Sequence, residues 1–324
     1  MKISVTGGSG FIGKPLCEAL VSLGHDVTLL SRQPGVGGAS VIQGDLTVAS
    51  SALDTFVDEC DILFHCAGEV NNPEHMYSLH VDGTVNLLAA VKRRMERSRK
   101  PLHWVQLSST GAYGEQAHKV LVDETFRPAP VGQYEVTKTI SDELVSSMAA
   151  SQGLFTCTIV RPSIVIGPTM PNQSVFQLAE MVRRRLFFYI GNGRENISTY
   201  VHVDDVVRAL VRSAEDSRAV GKTFIVSNDC AQVEVIDAFA KYAGVTAPRL
   251  RVPERVVRAL LRLVPSFIRL PLNAQRVDAL VIKGGYDSRH IRTALDFEFL
   301  RSIPDCIPDF LDGKRATVSK SRKG

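Results

Sequence analysis

The stretch Thr6-Gly7-Gly8-Ser9-Gly10-Phe11-Ile12-Gly13 decides the fold of this chain. It follows a short apolar run, residues 3–6, and opens an apolar-periodic segment over residues 12–23, so it sits where a strand turns into a helix. Glycines at this spacing let the chain reverse tightly and let its backbone come close to a bound group. The start of the helix beyond offers N–H groups without intrahelical partners, and its dipole favours negative charge. The turn therefore reads as a dinucleotide pyrophosphate site made by Gly7, Ser9, Gly10, Phe11, Ile12 and Gly13. A serine-hydrolase elbow is excluded, because Phe11 stands where G-x-S-x-G needs its last glycine.

Working outward, short runs rich in Val, Ile and Leu recur at residues 3–6, 27–30, 40–42, 62–65, 104–107 and 156–160. Their near-continuous apolar character is that of strands buried on both faces. Helical stretches lie between them at 12–23, 79–97 and 134–151. Such alternation implies α/β architecture: a doubly wound parallel Rossmann sheet with right-handed crossovers. After Arg161 the pattern loosens at Pro162, Pro168 and Pro171, and shorter helices are expected at 175–185, 233–243 and 253–263. Residues 203–213 and 223–226 still read as sheet-domain material. The expected organisation is a dinucleotide-binding domain over 1–168, with 200–230 returning to it. A smaller, interleaved C-terminal substrate domain covers 169–313, and a basic, solvated, mobile tail covers 314–324.

The chain has 324 residues, 44% hydrophobic and 22% charged, with a formal net charge of +4, which makes no case for a nucleic-acid partner. Its six cysteines form no C-x-x-C pair and sit mostly in apolar runs, which fits a reducing compartment and argues against a disulfide framework or a metal site. Residues 1–6 run straight into the glycine turn without a signal peptide, and no apolar run is long enough to span a bilayer. A cytoplasmic protein is expected, with a small-molecule substrate, membrane contact disfavoured, and a homodimer left open.

The end of the second strand bears on the cofactor. Leu29-Leu30-Ser31-Arg32 lacks the acidic residue that usually holds the ribose hydroxyls of NAD. A carboxylate there would repel a 2′-phosphate, whereas the Arg32 guanidinium can grip one through two hydrogen bonds. NADP is therefore preferred, with NAD allowed, and Ser31 and Arg32 are the candidate contacts. Asp45 and Leu46 lie where the adenine can be held. Cys66, Ala67 and Gly68 end the fourth strand, where the backbone can pass close to the cofactor.

Tyr134-Glu135-Val136-Thr137-Lys138 places a phenol and an ammonium at i and i+4 on one helix face. A phenol titrates near 10 when unperturbed. A neighbouring ammonium and the positive nicotinamide ring are expected to lower it and make the phenolate a usable base. Leu107-Ser108-Ser109 ends a strand shortly before and supplies hydroxyls. With these pieces in hand, the chain resembles the extended short-chain dehydrogenase/reductases of the NAD-dependent epimerase/dehydratase family, a group that includes 3β-hydroxysteroid dehydrogenases and dihydroflavonol reductases. The matching segments, in the family's order, are TGGSGFIG from Thr6, FHCAG from Phe64, SSTGAYG from Ser108, YEVTK from Tyr134, RPSIVIGP from Arg161 and YVHVDDV from Tyr200. The resemblance implies a catalytic set of Ser109, Tyr134 and Lys138, and adds Ser108, Arg161, Pro162 and Ser163 to the cofactor contacts.

Departures from the family pattern narrow the chemistry. Dehydratases carry Asp-Glu directly after the catalytic Ser/Thr; Thr110-Gly111 stands here, which disfavours dehydration. Sugar-nucleotide enzymes often have Asn at the position of Ile164 and Arg at that of Ser198. His80 replaces a usual Asn near the nicotinamide, either in a cofactor role or simply bonded to the backbone. The leading expectation is hydride transfer at a carbinol or ketone carbon of a nucleotide-linked sugar, by a 4-ketoreductase or an epimerase. A reductase or dehydrogenase of an apolar ketone or alcohol is the alternative, and a non-catalytic dinucleotide-binding regulator is a third. Arg183-Arg184-Arg185 reads first as cations favoured at a helix C-terminus, and second as a diphosphate grip together with Arg194. Residues 255–269 read as a packed, basic and apolar helix, with contact to a membrane as the sharper alternative. Glu69 is either a substrate-facing or a loop residue.

Overall fold

The computed structural model describes residues 1–33, 39–263 and 274–321. The chain begins β1 (Lys2–Thr6), α1 (Gly13–Ser22), β2 (Asp26–Ser31), β3 (Ser40–Gln43), α2 (Ser51–Val57) and β4 (Ile62–His65). It continues α3 (Pro73–Tyr77), a π turn (Ser78–Asp82), α4 (Gly83–Ser98), β5 (Leu102–Leu107), α5 (Gln133–Ser151), β6 (Phe155–Pro162) and β7 (Ile164–Ile166). Then come α6 (Ser174–Arg183), β8 (Tyr189–Ile190), β9 (Ile197–Ser198), β10 (Tyr200–His202), α7 (Val203–Glu215), β11 (Thr223–Val226) and β12 (Cys230–Ala231). The last elements are α8 (Gln232–Ala243), β13 (Arg251–Val252), α9 (Glu254–Leu263), α10 (Ala274–Leu280), α11 (Arg289–Leu295) and α12 (Ile303–Ser321).

Seven strands make one parallel sheet in the order β11-β6-β5-β4-β1-β2-β3. The chain winds one way from β1 through β3 and the other way from β4 through β11, so the order reverses between β1 and β4. A crevice opens there beyond the C-terminal strand ends, because the helices that follow the two strands leave to opposite sides. Both faces of the sheet are covered. One core gathers Leu16 and Leu20 of α1, Val206 and Leu210 of α7 and Ile291 of α11 against the sheet. The other gathers Leu53 and Phe56 of α2, Leu87 and Val91 of α4 and Val145 of α5 around Trp104. A third apolar cluster stands apart, built from α6, α8 and α12 with Phe176, Phe239 and Phe310.

The structure departs from the sequence reading at several elements. The short helix α2 was not expected; its seven residues are too few to show a period. Residues 203–213 form the helix α7: His202 accepts the Asp204 N–H, and α7 packs on β5 and β6 of the main sheet. The expected helix over 79–97 starts as the π turn, and β7 pairs in parallel with β10 outside the main sheet. The backbone expected to form a mobile tail from 314 is helical to Ser321 as the end of α12. Residues 264–269 of the expected basic helix lie outside the described residues.

Candidate active site

The glycine turn occupies the crevice. Thr6 and His65 are register partners at the ends of β1 and β4. Gly7 has φ +68°, and a Cβ on it would lie 2.7 Å from the backbone of Cys66 and Ala67. A Cβ on Gly13 would lie 2.0 Å from the Gly7 carbonyl oxygen. The turn closes through Gly10 N donating to Gly7 O at 2.9 Å. α1 then begins without a side-chain cap at Ile12 and without an acid in its first turn. Uncapped N–H groups beside a backbone too close-packed for side chains suit a diphosphate, so these residues fit a dinucleotide.

Around the turn, Ser31 Oγ accepts the Gln33 N–H at 3.1 Å, and Arg32 is exposed. Asp45 caps its own turn by accepting from Thr47 N and Oγ1, both at 2.9 Å. That bonding holds its carboxyl below the usual range, helped by the Arg32 charge. The Leu46 carbonyl accepts from Asn86 at 2.9 Å. Ala67 N donates to Thr6 Oγ1 at 3.3 Å, and burial pushes the Cys66 thiol up to about 12.

Tyr134 and Lys138 stand one turn apart on α5, and Asp142 lies one turn further on the same face. Lys138 is buried, 4% exposed. Burial lowers its ammonium, and the Asp142 charge pulls it back up. Burial raises the Tyr134 phenol to about 12, with Glu135 and Asp142 adding to the rise. The protein's own groups thus act against the expected lowering of this phenol, because removal from water and the Glu135 and Asp142 charges all disfavour the phenolate. Ser109, at the end of β5, is half-buried and accepts the Gly111 N–H at 3.0 Å.

Sequence reasoning missed what lies beneath these residues. Ser108 Oγ donates to Asp142 Oδ2 at 2.6 Å, and Arg161 donates to the same oxygen from Nη2 at 3.0 Å. The guanidinium also lies over the Tyr113 ring, 5.0 Å from its centre. Asp142 Oδ1 is buried without a hydrogen-bond partner. The side chains of Ser108 and Arg161 therefore turn to Asp142, not towards the crevice. Ser163, just past Pro162 at the end of β6, bonds Ser227 Oγ at 2.6 Å. The signal for Asp142 was present as i, i+4, i+8 from Tyr134.

His80 is fully buried in the π turn. Glu69 N donates to its Nε2 at 2.9 Å, which leaves the proton on Nδ1 to donate to Thr137 Oγ1 at 2.8 Å. Burial, with the Lys138 charge, lowers this imidazole to about 3, so it is neutral. Its ring edge meets Tyr134 with centres 5.5 Å apart. His80 thus ties the loop after β4 to α5. A second buried chain runs from Thr6 Oγ1 through His65 to Thr84 and Ser141, in steps of 2.8, 3.2 and 2.9 Å. The Glu69 carboxylate accepts the N–H groups of Asn71 and Asn72, which is a loop role.

A cavity of about 1580 Å³ reaches into the third cluster, with Ile164, just past the end of β6, in its lining. Ile164 and Ser198 line it together with Phe176, Phe187, Phe188, Phe239 and Leu280, with cations at its edge. Arg183 and Arg184 there both bond Glu180, at 2.6–2.7 Å, and Arg276 donates to Gln177 at 2.7 Å. Arg194 is exposed and does not line the cavity.

Residues 3–227 match the NAD-dependent epimerase/dehydratase family. The chain belongs to that family. Among curated relatives, a human sterol-4-alpha-carboxylate 3-dehydrogenase (decarboxylating) is 29% identical over 70% of this chain, and the match spans 62% of the relative's length. A Stigmatella aurantiaca ketoreductase of a farnesyl-dihydroquinoline oxide is 28% identical over 86% of this chain and 84% of its own. The dTDP-glucose 4,6-dehydratase of Mycobacterium tuberculosis is 30% identical over 71% of this chain and 73% of its own. The UDP-glucose 4-epimerase structure from Thermotoga maritima superposes with a TM-score of 0.74 at 21% identity, covering 98% of this chain and all of that one, which shows the shared fold.

Proposed function

We propose that the chain catalyses NADP(H)-linked hydride exchange at a secondary alcohol or ketone carbon of a predominantly apolar molecule. The observation that carries this reading is the cavity wall: Ile164 and Ser198 stand where sugar-nucleotide enzymes often have Asn and Arg, and the wall between them is aromatic and aliphatic. An apolar wall of that size recovers free energy from an apolar ligand and gives little to a hydrated diphosphate.

In this reading residues 7–13 hold the pyrophosphate, and Arg32 the 2′-phosphate. The bound nicotinamide supplies or accepts the hydride. The Tyr134 hydroxyl exchanges a proton with the substrate oxygen, Ser109 Oγ holds the same oxygen, and the Lys138 ammonium favours the phenolate. The nucleotide-sugar reading, as ketoreductase or epimerase, is favoured by Arg183, Arg184 and Arg276 at the cavity edge and by the dehydratase relatives.

The test is NADPH oxidation across two panels, long-chain or polycyclic ketones and nucleotide-linked 4-ketosugars, with a product assay for epimerisation beside it. Turnover of the first panel and not the second is expected; the reverse would overturn the substrate reading. Tyr134→Phe should lower turnover by about 10²-fold or more, since a positioned acid–base group contributes that much. Full activity in that variant would refute the proposed chemistry.

A further inference from the structure

The cavity reaches the surface at Leu186, which both lines it and is 61% exposed. The surface around this residue is unusual. β8 and β13 pair in parallel with Tyr189 opposite Arg251, which sets Leu250 level with Phe188 at the strand start. Leu250 is 64% exposed, between the exposed Arg249 and Arg251. α9 follows at once and packs Val257 and Leu261 against Phe188, Ile190 and Val252. Its outer face, by helical angle, carries Arg255, Val256, Ala259, Leu260 and Arg262. Val256 is 46% and Leu260 58% exposed.

Exposed apolar and cationic side chains thus alternate along residues 249–251 and along the outer side of α9. Glu254 and Asp278 are both taken by Arg258. Among the described residues, no carboxylate lies within the 4.0 Å ion-pair distance of Arg249, Arg251, Arg255 or Arg262. Exposed leucines cost solubility and mark a contact surface when they cluster. Unpaired arginines among them say what kind of contact.

We propose that this face, Leu186 with the strand end at Leu250 and the outer side of α9, docks on an anionic lipid bilayer and sets the cavity mouth at the membrane interface. No helix among the described residues is long and apolar enough to cross a membrane, so the contact lies in the interface plane. There the aliphatic side chains enter the headgroup boundary, and the guanidinium groups meet lipid phosphates. A second copy of the chain is a poor occupant: a two-fold contact through this face would set four arginines against the same four. The overall charge of +4 is modest, so the attraction comes from this clustering. The surface stands on its own residues. Only its use as an entry route for substrate rests on the apolar-substrate reading.

The test is co-sedimentation of the full chain with vesicles of phosphatidylcholine alone and of phosphatidylcholine with phosphatidylglycerol. Binding to the anionic vesicles is expected, weakening as salt is raised, because exposed charges are screened. Arg255→Glu with Arg262→Glu should weaken partitioning by about tenfold or more, and Leu260→Asp should weaken it at low salt as well. Both variants should keep the wild-type thermal midpoint and NADPH affinity, since these side chains are exposed and outside the cavity. Equal binding to both vesicle types, no binding, or unchanged partitioning in the variants overturns the proposal. So does a wild-type dimer in sedimentation velocity that Leu260→Asp converts to monomer. Vesicle binding by a chain that turns over only nucleotide sugars would keep the surface and remove the apolar-substrate reading.

Discussion

At the scale of the residue, the site is governed by what is buried with it. His80 is held near 3 by burial, against an ordinary value near 6.5, so folding favours the neutral ring. The folded value is depressed: the stability this gives is complete above the ordinary value and is lost as pH falls from about 6.5 towards 3. His65, also held well below the ordinary value by burial, acts in the same direction. His80→Asn keeps an acceptor for the Glu69 N–H and a donor for Thr137 but does not titrate. Its thermal midpoint should fall less steeply than wild type between about pH 6.5 and 4, each pH unit of lost proton discrimination being worth about 1.4 kcal/mol. Parallel curves would show that the acid sensitivity lies elsewhere. Asp142 is the complementary case. Asp142→Asn leaves Arg161 buried without its carboxylate, and breaking such a pair costs about 3–5 kcal/mol. A denaturant titration should show a loss of that order. Asp142→Glu, which keeps the charge, should recover part of it.

At the scale of the element, the strand–turn–helix unit at the N-terminus is set by backbone geometry. The Gly13 Cβ position is filled by the Gly7 carbonyl, so Gly13→Ala must push α1 away from the turn. Dinucleotide affinity should fall by about tenfold or more while the far end of the sheet keeps its structure, because the proposed pyrophosphate contacts come from this backbone. Isothermal titration with NADPH and NADH measures it, and wild-type affinity would show that the turn does not hold the cofactor. This unit was legible in sequence because Gly7, Gly10 and Gly13 are required by close approach, and Tyr134 and Lys138 by helical spacing. Asp142 and Arg161 were not singled out as a pair. They lie on different elements, and only the sheet order brings β6 alongside β5 and under α5. The sequence left the form of residues 203–213 open within the sheet domain, and His202 caps them as the helix α7.

At the scale of the molecule, two binding regions rest on different supports. The dinucleotide crevice lies at the C-terminal ends of β1 and β4, strands covered on both faces by the two large cores. The cavity is walled by α6, α8 and short two-residue strands, whose backbone has few ladder bonds to protect it. Amide exchange follows local opening, so β1, β4 and β5 should exchange slowest, and α6 and α8 faster. A ligand slows exchange only where its binding suppresses opening. NADPH alone should therefore protect residues 7–13 and the loop after β4. A long-chain ketone added to the NADPH complex should protect α6 and α8, by contact with Phe176 and Phe239. A nucleotide sugar of the competing reading should act mainly at the arginine-bearing edge, Arg183 and Arg276. Ketone protection confined to residues 7–13, or absent from α6 and α8 at saturation, would separate the cavity from the chemistry and return the substrate to the polar rim.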